Sequence, residues 1–229
     1  SAPDMYIYDP FRETFKSFLE LNPSLTSAMR NRSAAVIGDQ VYVLADGSES
    51  IVYTLDNTGK FQSATPSKSN IGKLIAGRDG RLYGLTYSWA QLYELDQTSL
   101  EVLDTIRFEG AETTGVAIAE DGTIFSTRQM GKIDVMDRTG TRTDVVVFES
   151  DTHLFDLELS ESGMFFVGGS EGVLHRLSND FRWFTNLAPK PVGSGNDAWV
   201  TSLPMTGPDG DNDGIADWWE LVHGFDPRD

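Results

Sequence analysis

Residues 209 to 220 read Asp-Gly-Asp-Asn-Asp-Gly-Ile-Ala-Asp-Trp-Trp-Glu. Their types and spacing point to one chemistry, the binding of calcium. The segment fits the twelve-residue pattern D-x-D-x-D-G-x-x-D-x-x-E at every specified place. In such a loop the alternate carboxylates of Asp209, Asp211 and Asp213 turn inward on a tight curve. Gly214 permits the sharp bend, Ile215 offers its backbone carbonyl, and Asp217 acts directly or through a water. Glu220 arrives one helical turn later and completes the shell with both oxygens. Without a cation, carboxylates this dense repel one another.

The residues that follow narrow the setting. Trp218-Trp219-Glu220-Leu221-Val222-His223 predicts a short amphipathic helix, capped by Gly224 and stopped by Pro227. Pro204, Gly207 and Pro208 forbid the incoming helix that a paired EF-hand needs. On these residues, Pro208 to Asp229 resembles a thrombospondin type-3-like calcium repeat. The resemblance implies a secreted or bacterial cell-surface protein, where abundant calcium keeps even a weak site filled. It also implies that the natural chain continues beyond Asp229 into further domains, because such repeats are links in longer arrays.

Elsewhere the chemistry-bearing residues are sparse. Cysteine is absent, so thiol catalysis, zinc-thiolate sites and disulfides are excluded. His153, His175 and His223 are the histidines, and no serine stands in a Gly-x-Ser-x-Gly turn. What remains is a set of cations, aromatics and carboxylates in expected loops: Arg32, Lys73, Tyr87, Trp89, Arg128, His153 and Asp156. Asp156 and Asp197 are a candidate carboxylate pair of the kind glycoside hydrolysis uses, although no third carboxylate joins them and Lys73 and Arg32 would more simply pair with them. The balance of 18 Lys+Arg against 35 Asp+Glu gives a net charge of −17. That field repels phosphate backbones and anionic lipid, so neither nucleic acid nor membrane insertion is expected. Apolar runs such as Val145 to Phe148 are far too short to span a bilayer.

The elements that must position these residues show up as an internal repeat. Tyr42, Tyr83, Phe125 and Phe166 are separated by 41, 42 and 41 residues. Asp56, Asp96, Asp137 and Ser178, which close the following strands, are separated by 40, 41 and 41. Two landmarks holding one period imply a repeated unit. Each unit reads as four short strands; in the third they are Thr114–Ala119, Thr123–Thr127, Lys132–Met136 and Arg142–Phe148. Asp79-Gly80, Asp121-Gly122 and Ser162-Gly163 are expected as two-residue hairpin turns between first and second strands. Antiparallel units at about 40-residue spacing are propeller blades.

Thr114-Gly115-Val116-Ala117-Ile118-Ala119-Glu120-Asp121-Gly122-Thr123-Ile124-Phe125 resembles the strand-turn-strand of NHL-type and related bacterial propellers. The resemblance covers about Met5 to Met205 and implies fold, not activity. The expected fold class is therefore all-β: a five-bladed β-propeller over residues 1–205, followed by the calcium repeat over 206–229. Four blades are complete. The fifth would join N-terminal strands Met5–Asp9 and Thr14–Leu21 to an inner strand near Ala198–Leu203, protecting the edges of the sheet. The second strand of that blade should fall near Gly207, where the calcium module begins instead, so the blade either lacks a strand or finds it past Asp229.

In such a fold, loops entering the first strand and loops between the second and third share one face. That face would present a glycan or protein ligand with Arg32, Lys73, Tyr87, Trp89, Arg128, His153 and Asp156. The leading expectation is a non-catalytic binding or scaffold module with calcium as a stiffener of its C-terminal joint. The alternative is an extracellular carbohydrate-active enzyme using Asp156 and Asp197.

Overall fold

The computed structural model describes residues 6–9, 14–17, 20, 22, 30–46, 51–67, 70–86, 91–108, 113, 115–128, 131–147, 154–159, 165–169, 174–177 and 184–186. Strands dominate them, as their content of Val, Ile, Tyr, Phe and Thr favours. The first four-stranded sheet runs β3 (Arg30–Ile37), β4 (Gln40–Asp46), β5 (Ile51–Asp56) and β6 (Phe61–Pro66), each antiparallel to the next. The second runs β7 (Lys73–Ala76), β8 (Leu82–Thr86), β9 (Gln91–Leu95) and β10 (Val102–Arg107) in the same way. The third is β11 (Val116–Ile118), β12 (Ile124–Arg128), β13 (Lys132–Met136) and β14 (Arg142–Val147). The fourth is β15 (Leu154–Leu159), β16 (Phe165–Gly169), β17 (Leu174–Leu177) and β18 (Phe184–Asn186). A separate antiparallel pair, β1 (Tyr6–Asp9) and β2 (Thr14–Ser17), precedes them.

The repeat period is a ladder register. Tyr42 faces Thr54, Tyr83 faces Glu94 and Phe166 faces Arg176, so each aromatic landmark holds the same rung of its own sheet. Burial is greatest in the second strand and least in the fourth. In the second sheet, β8 is buried along its whole length, whereas in β10 only Ile106 is buried. A sheet with its early strands inward and its last strand in solvent has the character of a propeller blade.

The chain separates into two compact units: residues 1–113, 118–124 and 135–143 form one, and 114–117, 125–134 and 144–229 the other. In the first unit, Tyr42, Leu44 and Val52 of the first sheet pack with Leu74, Leu82 and Leu95 of the second into one apolar cluster. Each such leucine contributes about 1.5–3 kcal/mol by leaving water. Tyr42 keeps its hydroxyl satisfied at the cluster rim by donating to Gln97 O (3.1 Å).

The turns differ from expectation in a defined way. Gly122 N donates to Ala119 O (3.0 Å) and Ala119 N to Thr123 O (2.9 Å), while Gly122 has φ +86°. Gly80 repeats this with Gly77 and Arg81, at φ +77°. Glu120, Asp121 and Asp79 have no positive φ, which a two-residue type I′ turn would demand. The connection is instead a three-residue loop in which only the glycine is left-handed. Asp79 and Asp121 serve it through their side chains, accepting from Arg81 N (3.2 Å) and Thr123 N (2.9 Å). Ser162-Gly163, the strand expected near 198–203 and the boundary expected at 205 lie outside the described residues.

Candidate functional site

The ends of the first strands carry the expected site residues, because the first strand's start and the second strand's end are adjacent in an antiparallel pair. Lys73 opens β7 opposite Leu85. Asp156 lies in β15 opposite Gly168. Arg32 lies within β3 and Arg128 closes β12. Thus four residues expected on loops are held in strands, whose ladders extend farther than the apolar runs alone indicated. Tyr87, Trp89, His153 and Asp197 lie outside the described residues, as do Asp209, Asp211, Asp213, Ile215, Asp217 and Glu220.

Ladder register picks out a set that sequence spacing alone nearly found. Lys73 faces Leu85 and Asp156 faces Gly168, while Ser33 faces Leu44 in the equivalent rung of the first sheet. In the third sheet the rung belongs to Gly115, whose carbonyl accepts from Thr127 N (2.9 Å). Ser33, Lys73, Gly115 and Asp156 are therefore equivalents. Periodic spacing alone would put Arg32 in the set, since Arg32 and Lys73 are 41 apart. A bulge between Asn31 and Ser33 leaves Arg32 as the extra residue and moves Ser33 into its place.

Within the first unit the rung ties adjacent first strands together. Ser33 Oγ accepts from Leu74 N (2.9 Å) and donates to Leu74 O (3.2 Å), so one hydroxyl satisfies both backbone groups of a buried residue. This brings the chain positions of Arg32 and Lys73 side by side. Farther along, Arg78 N donates to Ile118 O (2.9 Å).

Within the second unit Gly115 plays that part by being small. A Cβ there would lie 2.6–2.7 Å from Leu157 N and from Asp156 Cα and carbonyl carbon. Thr127 Oγ1 accepts from Gly115 N (2.8 Å) and donates to Gly115 O (3.2 Å). The chain positions of Arg128 and Asp156 thus meet across Gly115. Asp156 itself is only 2% exposed, and its Oδ1 accepts from Leu157 N (2.9 Å). Ser126, Thr127 and Asp134 are also buried in this unit. A carboxylate sunk in a strand and bonded to the backbone is suited to holding structure together.

A second polar constellation, which sequence reasoning missed, lies on the first unit. Tyr83 OH donates to Asp79 Oδ2 (2.7 Å), and Arg81 Nη1 pairs with Glu94 Oε1 (2.7 Å). Arg138 Nη2 stands 3.7 Å from both Asp79 and Glu94. Burial, with the Asp79 hydrogen bond next, drives the Tyr83 phenol far above its ordinary pKa of 10.0. The signal was in principle available: Arg81 and Glu94 flank the aromatic rung at positions where the first sheet has Gln40 and Thr54.

Among the described residues no group of three or more His, Cys, Asp and Glu could hold a metal ion, and no helix is long and apolar enough to cross a membrane. The calcium expectation therefore rests on residues 209 to 220 by themselves.

No protein-family model matches the sequence, and no curated protein resembles it at the sequence level. Solved structures do resemble it. A protein of unknown function from Bacteroides caccae superposes with TM-score 0.55 at 13% identity, over 80% of this chain and 69% of its own. The WD40 repeats of RRP9 superpose with TM-score 0.54 at 13% identity, over 71% of this chain and 52% of theirs. A chain of the mitotic checkpoint complex gives TM-score 0.55 at 14% identity, over 79% of this chain and 58% of that one. The chain thus spans little more than half the length of the latter two. At 13–14% identity the likeness shows the fold alone, antiparallel sheets of the β-propeller, WD40-like kind.

Proposed function

We propose that the chain is a non-catalytic binding module of a secreted or cell-surface bacterial protein, an NHL-like propeller joined to a thrombospondin type-3-like calcium loop. Five blades complete the ring, the last built from β1, β2 and a strand near Ala198–Leu203. Calcium held by Asp209, Asp211, Asp213, the Ile215 carbonyl, Asp217 and Glu220 stiffens the joint to whatever follows. A glycan or protein ligand docks on the loop face near Arg32, Lys73, Tyr87, Trp89, Arg128 and His153, with the buried Asp156 in a supporting role.

The observation that carries the non-catalytic reading is Asp156. It is the one described member of the carboxylate pair an enzyme would need, and it is buried at 2% exposure with its oxygen on a backbone N–H. A general acid or nucleophile must reach substrate. The WD40-like neighbours support a binding role in the same direction, since one of them lies in an assembly, the mitotic checkpoint complex.

Calcium titration by calorimetry tests the joint. Heat saturating at one ion per chain, with a chelator-reversible change in tryptophan emission from Trp218 and Trp219, is expected. Absence of both overturns the calcium reading. Hydrolysis of a glycan panel abolished by Asp156→Asn would overturn the non-catalytic reading.

A further inference from the structure

The fourth strands of the first two sheets each contain a bulge. In β6 the extra residue is Gln62, between Phe61 paired to Leu55 and Ser63 paired to Thr54. In β10 it is Leu103, between Val102 paired to Leu95 and Asp104 paired to Glu94. Repeat spacing puts Thr143 at the same place in β14. Two of the three side chains are tied back to their own sheet. Gln62 Oε1 accepts from Gln40 Nε2 (2.9 Å), and Thr143 Oγ1 donates to Val135 O (3.1 Å). Leu103 can do neither. It is 61% exposed, the most exposed large apolar side chain among the described residues, and its neighbour Val102 is 38% exposed. The blade tolerates polar residues here, so the fold does not require a leucine.

Leu103 forms one wall of a depression of about 210 Å³ whose other walls include Arg81, Glu94, Asp96 and Gln97. Glu94 is paired with two guanidiniums, Arg81 at 2.7 Å and Arg138 at 3.7 Å, which leaves Asp96 and the adjacent Asp104 as the carboxylates without an arginine among these contacts. The hollow is therefore apolar at Leu103 and anionic at Asp96 and Asp104. β10 is also the outer strand of its sheet, with no strand beside it among the described residues. Thr105 N already donates to Asp104 Oδ1 (2.7 Å); the remaining outward N–H and C=O groups are a template for one more strand.

We propose that the outer edge of the second sheet, centred on Leu103, docks an extended cationic segment of a partner protein. The segment pairs along β10, lays an apolar side chain against Leu103 and Val102, and sends an arginine or lysine into the hollow beside Asp96 and Asp104. The net charge of −17 favours such a partner, and it disfavours both a second copy of this chain and an anionic membrane. The proposal extends the binding-module reading to a surface independent of the loop face and of calcium.

Fluorescence anisotropy tests it, with a labelled peptide alternating arginine with valine as probe and one alternating glutamate with valine as control. The 229-residue chain should bind the cationic probe and not the anionic one. Leu103→Gln, which installs the residue type of the equivalent Gln62, should keep the urea midpoint and weaken binding about tenfold. Trp89→Ala should leave this binding unchanged, separating its failure from failure of the loop-face reading. Failure to bind the cationic probe overturns the proposal. So does equal binding by Leu103→Gln, which would put the cation elsewhere on an acidic surface. Self-association in sedimentation velocity that disappears in Leu103→Gln would make a second copy the occupant and overturns it too.

Discussion

Three side chains do the work of a missing strand by offering a donor and an acceptor together. Ser33 does so for Leu74, Thr127 for Gly115, and Asn22 by donating to Gly59 O (3.0 Å) while accepting from Phe61 N (2.7 Å). Ser33→Ala removes both partners of a residue that is 1% exposed. The expected cost is about 1–3 kcal/mol, read as a lower urea midpoint with unchanged slope. Gly115 is the opposite case, where absence of a side chain is the function. Gly115→Ala forces a methyl against the backbone of Asp156 and Leu157, which cannot give way as a flexible side chain would. Overpacking of this kind costs about 1–3 kcal/mol, and equal stability of the two proteins in urea would refute the close approach.

At the scale of elements, the closing aspartates explain the repeat. Asp56 Oδ1 accepts from Thr58 N, Thr58 Oγ1 and Lys60 N, and Asp137 takes the same three contacts from Thr139 and Thr141. Asp96 does this for Thr98 and Ser99, one residue longer, and there Leu100 takes φ +57° with its side chain packed in the core. These bonds favour the ionised form. The Thr58 hydroxyl chiefly lowers Asp56 below its ordinary value of 3.8, the Ser99 amide lowers Asp96, the Thr123 amide lowers Asp121 and the Thr139 hydroxyl lowers Asp137. A folded-state pKa below the unfolded one means stability is present above pH 3.8 and lost as pH falls through the depressed values. The thermal midpoint should therefore drop on acidification below that point, and less steeply in Asp137→Asn, which cannot titrate.

The Asp landmarks are legible in the sequence because each bonds inside one turn, and the aromatic ones because they recur at one rung of their ladders; the third repeat's strands fall within a residue or two of the expected bounds. The bulges were not readable, because a bulge is a relation between two strands and Arg32 carries no mark of it. Hence Arg32 was grouped with Lys73 and Asp156 when Ser33 holds that rung. The burial of Asp156 is likewise a relation between strands: it depends on the close backbone of Gly115, which Asp156 does not mark in the sequence.

For the molecule as a whole, a net charge of −17 and a set of similar sheets separate the loop face, the outer edges and the calcium loop as distinct proposed binding surfaces. If recognition lies on the loop face, Trp89→Ala should weaken binding of a glycan found by array, whereas Lys60→Ala, in the exposed turn after β5, should not. Equal binding by both would move the site. Asp213→Ala removes a charged ligand from the middle of the calcium loop and should weaken calcium binding by well over about tenfold in the same calorimetric titration. One feature of the sheets bears on time. All four four-stranded sheets are built from strands consecutive in the chain, so ladders close over short loops and little chain entropy is spent before contacts form. Each sheet can then open and reclose as a cooperative unit while its neighbours stay intact. Native-state amide exchange should resolve this as protection shared across the inner strands of a repeat and changing in steps from one repeat to the next, with β6 and β10 lower because an outer strand frays before its sheet opens.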